Sequence, residues 1–326
     1  MYGELLQHQP TLKYLGVWFD EHMTWQHHTC EVIRKARARL WALHRGIGLG
    51  WGVHPLLFLR LVRGVIVPLL FYAAPCWAAV LGVETRLIEL DRVMALASRM
   101  AFGLERSTSI EASLAMGGLG PARTHITRAL VRYLCRCRRP ELCHSPSLSI
   151  HRSYTTPVEL GRAWLRREVL RSTPIDLEHT RWRVIRESID EALVAEWQRR
   201  WRSANTGRTL FGLLARVGEP WMPEDASCSG RMEMVLVARY MTGHCHLGPF
   251  EIPREDELED CPLCGELYLE DHFIYDCVAL HDIRVRWLDV GGRGIGELRG
   301  LVWQRCSRLG TFLREVRERL VVLGDS

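Results

Sequence analysis

Four residues within seventeen positions constrain this chain more than any other feature. They are Cys261, Cys264, His272 and Cys277, in the order C-x2-C-x7-H-x4-C. Three thiols and one imidazole at this spacing form the donor set of a small tetrahedral metal site. A tight C-x2-C turn presents two sulfurs from one loop, and the later pair closes the site from the next short element. Pro262 stiffens the turn, and Gly265 lets the backbone fold back over the metal. The cofactor expected is one structural Zn2+. The competing reading is a chance grouping among eleven cysteines, with Cys261 and Cys264 as ordinary reduced thiols. It leaves the spacing of His272 and Cys277 unexplained.

At 326 residues the chain has room for two domains, or for one core with appendages, and a 47% hydrophobic content argues against wholesale disorder. The opening Met1-Tyr2-Gly3-Glu4 carries no visible cleavable leader. That points to a reducing intracellular compartment, where cysteines bind metals rather than pair as disulfides. Lysine occurs only at positions 13 and 35, so nearly every basic residue is arginine, a bias that GC-rich coding alone could produce. Charge divides by region: +3 over residues 1–120, +9 over 121–208, −10 over 209–277 and +3 over 278–326. A phosphate backbone would sit most easily on the basic middle. The acidic surroundings of the cysteine cluster argue against it as the main electrostatic grip on nucleic acid.

Val65 to Val83 runs nineteen residues without a charge, a length that suggests a membrane span. Pro68 and Pro75 interrupt it, so a buried helix followed by a break is the expectation, with no membrane partner.

In order along the chain, residues 11–20 alternate and are rich in β-branched and aromatic types, which predicts one short strand. From Trp25 to Arg45 the period becomes helical, with Ile33, Ala36, Leu40 and Leu43 as the apolar stripe and Arg34, Arg37 and Arg39 outside it. Gly46, Gly48, Gly50 and Gly52 end that helix. Pro55 opens a second, apolar helix that should run to Pro68, and a third is expected from Thr85 to Phe102, stopped by Gly103, with Leu87, Leu90, Val93 or Met94, and Ala97 inward. The fold class is therefore mainly α: a short N-terminal strand, a three-helix bundle, a helical connector, a small CCHC knuckle and a C-terminal helix.

Several segments, in shared order, resemble the end of a non-LTR (LINE-type) retrotransposon reverse transcriptase polyprotein. Tyr14-Leu15-Gly16-Val17-Trp18-Phe19-Asp20, with Trp25 and His28 after it, is similar to the strand that leaves the palm in that family. Leu59 through Pro68 to Tyr72, Ala73, Ala74 and Trp77 looks like its second thumb helix. Leu90-Asp91-Arg92 and Ser107 to Ala112 match the family loosely. Trp197 to Trp201, Gly207-Arg208-Thr209, Tyr240 to His244, the knuckle itself and Trp303 to Leu320 as the last helix continue the match. Jockey-like elements and those inserting into ribosomal RNA genes resemble it most. The resemblance implies residues 1–24 as the end of the palm, 25–120 as a thumb-like bundle, 121–230 as a basic helical connector, 231–285 as the zinc-knuckle region and 286–326 as the C-terminal helix.

Family activity is RNA-directed DNA polymerisation primed at a nick made by the polyprotein's own endonuclease, with two metal ions on palm carboxylates. The alanine-aspartate-aspartate hairpin that holds them does not occur in this sequence, and Asp20-Glu21 follows the strand in the wrong place. The resemblance therefore implies a C-terminal piece that does not polymerise alone, with Mg2+ needed only in the full-length polymerase. Its implied partners are RNA and DNA, as element transcript and target-site DNA, and the upstream palm, fingers and endonuclease. The implied location is the nucleus, at the site of integration. Arg34, Lys35, Arg37 and Arg39 are candidate phosphate contacts on a thumb helix, and Arg132, Arg136, Arg138 and Arg139 form the densest basic cluster. Each group has the plain alternative of a solvated helix face. Phe273, Ile274 and Tyr275 could stack on unpaired bases or form the core over the metal.

Weaker constellations are a second metal site at Cys135, Cys137, Cys143 and His144, and a substitute ligand from His244, Cys245 or His246. Nothing orders a Cys-His hydrolase, and Glu224-Asp225 without a nearby lysine is a poor nuclease centre. The rival function is a domesticated or decayed zinc-knuckle protein that binds nucleic acid or protein without catalysis.

Overall fold

The computed structural model describes residues 9–48, 51–137, 161, 163–170, 180–226, 229–244, 246–247, 250–251, 260–268, 271–289 and 292–324. Among these the chain is mainly helical, as the sequence predicts. Strands β1 (Thr11–Tyr14) and β2 (Val17–Asp20) precede α1 (Gln26–His44), α2 (Pro55–Leu61) and α3 (Val67–Leu70). A π-helical turn at Val62–Ile66 joins α2 to α3, and a 3-10 stretch covers Ala74–Gly82. Then come α4 (Glu84–Phe102), α5 (Ile110–Gly117), α6 (Ala122–Cys137), a π-helical turn at Leu165–Leu170, α7 (Trp182–Ser203), α8 (Arg208–Leu213) and α9 (Arg231–Met241). Short strands β3 (His246–Leu247) and β4 (Phe250–Glu251) lead to α10 (His272–Tyr275), a 3-10 turn at Val278–Leu280, α11 (His281–Trp287), α12 (Ile295–Gln304) and α13 (Cys306–Gly324).

Two compact units form, neither from a single stretch of chain. The first gathers Met1–Trp41, Arg63–Met94 and Gly120–Arg199, and the second Ala42–Val62, Ala95–Leu119 and Arg200–Ser326.

In the first unit, residues 11–20 make a hairpin rather than the one strand expected. Leu15 and Gly16 both take positive φ, 46° and 87°, which folds the chain back so that Thr11 pairs with Asp20 and Tyr14 with Val17. A Cβ on Gly16 would meet the Tyr72 ring at 3.2 Å, and the Tyr72 hydroxyl donates to the Leu15 carbonyl at 3.3 Å. Asp20 accepts from the backbone N–H groups of Thr24 and Trp25, each at 2.7 Å, and so anchors the start of α1. Burial opposes ionisation of Asp20, yet these hydrogen bonds outweigh it and hold the carboxyl below its ordinary range.

The uncharged run from Val65 breaks as expected. A regular α-turn would set the Pro68 ring against the Gly64 carbonyl, and the wider π-turn at Val62–Ile66 lets the helix pass through to Leu70 instead of stopping at the proline. The chain then turns by 82° into Ala74–Gly82, where Trp77, Ala78 and Val80 are buried. No single helix among the described residues is long and apolar enough to cross a membrane.

Helix α4 forms as predicted, with Leu87, Leu90, Val93, Met94 and Ala97 all buried, and Gly103 ends it at φ 60°. The buried Asp91 carboxylate accepts from the Ala122 N–H at 2.6 Å, satisfying an otherwise orphan donor at the start of α6. Farther on, α6, the turn at Leu165–Leu170 and α7 share an apolar core of Val131, Cys135, Trp164, Leu165, Val169, Ile185, Ile189 and Leu193.

The second unit is organised by α9 and α13. A Cβ on Gly310 would lie 2.4 Å from the Glu233 Cβ, so the absence of a side chain lets the two helices approach closely. Arg231 is buried and donates to four backbone carbonyls: Gly48 at 2.7 Å, Val53 at 2.9 Å, Ala101 at 3.0 Å and Met100 at 3.4 Å. Trp201 donates to the Leu214 carbonyl at 3.0 Å, and Arg200 pairs with Glu111 at 2.6 Å.

Two helices close the chain where one was expected from Trp303 to Leu320. Trp303 belongs to α12, its indole donating to the Leu213 carbonyl at 3.1 Å, and Arg305 leaves the helix at φ −126°. Helix α13 starts afresh at Cys306, and the Asp225 carboxylate accepts from the Ser307 N–H at 2.7 Å.

Candidate metal centre

Local backbone chemistry brings Cys261, Cys264, His272 and Cys277 together. Gly265, at φ 74°, reverses the chain after the second cysteine, its N–H donating to the Cys261 carbonyl at 2.8 Å. The Cys261 N–H in turn donates to the Glu266 carbonyl at 2.7 Å, and an antiparallel bridge pairs Asp260 with Leu267. On the other side, Asp271 sits at φ 60° as the cap of α10, which places His272 at the first helical position. The Cys277 N–H donates to the His272 carbonyl at 2.9 Å, so the fourth residue returns to the first pair one turn later.

The ligand atoms of the four side chains all lie within 4.8 Å of one another, and the group can hold a metal ion. Cys261 Sγ and Cys277 Sγ are 3.9 Å apart, and Cys264 Sγ is 3.3 Å from His272 Nε2. A tetrahedral ion with metal–sulfur bonds of about 2.3 Å and metal–nitrogen bonds of about 2.0–2.1 Å needs edges of about 3.8 Å and about 3.6 Å. The donor set therefore fits such an ion. Cys261, His272 and Cys277 are buried, and Cys264 is half-buried.

Electrostatics point the same way. Burial, then the neighbouring Cys261, pushes the Cys277 thiol up to about 12, and burial also raises Cys261. Burial lowers His272 and so favours the neutral imidazole that a metal requires. Three crowded sulfurs resist ionising together; a bound dication supplies the charge that lets thiolates form.

A small apolar layer covers the centre. Phe273 and Ile274 are 2% and 1% exposed, and Tyr268 packs edge-on against Phe273 with ring centroids 4.9 Å apart. Of the two roles open to these side chains, the structure gives Phe273 and Ile274 to the core. Tyr275 is half-buried, with the Arg293 guanidinium 5.6 Å from its ring. From α9, the Tyr240 hydroxyl donates to the Asp271 carboxylate, and burial, then that carboxylate, raises the phenol well above its ordinary value. Arg284 donates to the Cys277 carbonyl at 3.0 Å, and Arg319 of α13 to that of Ala279 at 2.6 Å. Sequence reasoning missed Tyr240, Arg284 and Arg319, since nothing in their spacing marks a partner 7 to 40 residues away.

The candidate basic residues do not gather at the metal. On α1, Arg34 pairs with Glu31 at 3.0 Å and Lys35 with the same carboxylate at 3.9 Å, while Arg37 and Arg39 are exposed. Arg132 is half-buried and pairs with Asp190 at 2.6 Å, beside Arg128 at 2.8 Å from the same group. Arg136 lies over the Trp182 ring at 5.5 Å, and Arg138 and Arg139 fall outside the described residues. Cys135 is packed in the α6–α7 core; the Cys137 side chain, Cys143, His144 and Cys245 likewise fall outside what is described.

Fold and site together define a helical protein with a Cys3His group in its second unit that can hold a metal ion. No family model matches the chain, and no solved structure matches it. Among curated proteins, it is 25% identical over 293 residues to the retrovirus-related Pol polyprotein from type-1 retrotransposable element R1 4 of Nasonia vitripennis, a span of 86% of this chain and 64% of that protein. It is 23% identical over 329 residues to a 115 kDa protein in type-1 retrotransposable element R1DM of Drosophila melanogaster, covering 96% of this chain and 28% of that protein. The chain thus spans less than two thirds of either relative. The resemblance drawn from its motifs is borne out: most of the chain is similar to part of a LINE-type retrotransposon polyprotein.

Proposed function

We propose that this chain is the C-terminal part of a non-LTR retrotransposon RNA-directed DNA polymerase and endonuclease polyprotein. Its role is to bind template RNA and target-site DNA during target-primed reverse transcription, in the nucleus at the site of integration. The observation that carries the reading is similarity to R1 polyproteins over 86% and 96% of the chain. In this reading polymerisation belongs to palm carboxylates and Mg2+ supplied by upstream regions, and Asp20 serves to anchor α1. The metal centre carries one structural Zn2+, because a closed set of three sulfurs and one imidazole with tetrahedral edges suits zinc and leaves no open position for catalysis.

Among the described candidate cations, Arg37, Arg39 and Arg136 are exposed and open to phosphate in this reading. Filter binding of the chain to RNA, single-stranded DNA and duplex across a salt series tests the proposal. Expected is binding that weakens steeply with salt, with Arg37→Ala and Arg39→Ala each lowering the slope by about 1. Absence of binding to all three would move the protein to a second reading, a zinc module for protein contacts. Burial of Phe273 and Ile274, which leaves neither ring nor side chain for stacking on bases, favours that alternative.

A further inference from the structure

We propose that Tyr240 and Asp271 form a positioning pair for the metal, through which helix α9 sets the place of His272. This rests on the reading of the Cys3His group as a metal site. The Tyr240 hydroxyl donates to the Asp271 carboxylate across 31 residues of chain. Asp271 is not a passive neighbour. It stands at φ 60°, in the left-handed region that a non-glycine residue rarely takes, and its carbonyl accepts from Ile274 at 2.8 Å and Tyr275 at 3.1 Å to start α10. His272 follows directly, with Nε2 3.3 Å from Cys264 Sγ. Holding the Asp271 side chain therefore fixes a backbone conformation that would otherwise relax, and with it the direction in which the imidazole leaves the chain.

Other contacts hold the other parts of the loop. The C-x2-C turn is closed by its own backbone, and Cys277 is held through its carbonyl by Arg284. Among the described residues, the side-chain contact at the residue preceding His272 comes from α9, whereas Arg319 of α13 reaches the chain beyond Cys277, at the Ala279 carbonyl. Outer-sphere partners of this kind commonly contribute about 10- to 100-fold to metal affinity.

The test is a double-mutant cycle on the full chain, read as Zn2+ affinity by chelator competition and as the visible spectrum of the Co2+ form. Tyr240→Phe and Asp271→Ala should each weaken Zn2+ by about 10-fold or more, and the double variant no further than the weaker single one. Asp271→Asn, which keeps an acceptor and tolerates positive φ, should bind within a few-fold of the parent. Asp271→Gly separates conformation from contact: it frees the backbone but removes the acceptor, and it should weaken binding like Asp271→Ala. Parent-like affinity in Tyr240→Phe or in Asp271→Gly, or additive losses in the double variant, would overturn the pair while leaving the metal site standing. A parent chain that takes up neither Zn2+ nor Co2+ would overturn both. Helix content measured by circular dichroism without metal shows whether any variant has failed to fold, and Tyr240→Phe, the least disruptive change, then decides.

Discussion

His28 has no exposed surface, accepts from the Trp18 N–H at 3.3 Å through Nδ1, and lies with its ring 5.4 Å from Trp77. Burial, helped by Lys35 and His27, lowers its pKa to about 4. The folded state therefore holds the neutral ring over a range in which the unfolded chain takes up a proton. Stability present above the ordinary value of 6.5 should fall as pH drops toward about 4, by up to about 3 kcal/mol. Denaturant midpoints measured between pH 7.5 and 4.5 check this; a His28→Asn variant should show a shallower decline, and an unchanged slope would speak against it. Arg231 makes a second residue-scale prediction. Its four carbonyl acceptors need a planar, forked donor, so Arg231→Lys should destabilise the second unit nearly as much as Arg231→Met, by about 3 kcal/mol or more in urea melts. The buried role of neither residue is legible in the sequence, although His28 falls within a family-like motif. His28 differs from a surface histidine only by what packs over it, and Arg231 is one of many arginines whose acceptors lie 130 to 183 residues away.

Among the elements, periodicity placed the helices well. Of the stripe Ile33, Ala36, Leu40 and Leu43, the first three are buried in α1 and Leu43 is half-buried, and α4 ends at Gly103 as expected, because a local pattern of period 3.6 needs no partner to be read. Turns were harder. Leu15 at positive φ hid the hairpin, since a leucine carries no turn signal, and the π-turn before Pro68 could not be told from a helix end. The pairing of α9 with α13 was equally silent, because it depends on Gly310 facing Glu233. Gly310→Ala should lower stability by about 1–3 kcal/mol despite alanine's higher helix propensity, as its Cβ would stand 2.4 Å from the Glu233 Cβ. Gly296→Ala in α12, with nothing within 4 Å of the added carbon, should leave stability equal or slightly higher. Equal thermal shifts for the two would deny the close approach.

At the scale of the whole chain, the Cys-His grouping was legible from spacing alone, because that spacing is a covalent property, and the structure brings the four side chains together. How the surrounding segments collect into two units was not, since that depends on which helix faces fit. The loop is tied to α9 by Tyr240 and to α13 by Arg319, so metal removal should act on the second unit. Hydrogen exchange with and without chelator should show lost protection in the Cys261–Gly265 turn and in α10 and α11, with the α6–α7 core unchanged. The most direct measurement is zinc content per chain in the parent and in Cys261→Ser, His272→Ala and Cys277→Ser. About one zinc in the parent, lost in all three variants, is the predicted result; a metal-free parent, or variants that keep the full complement, would contradict it.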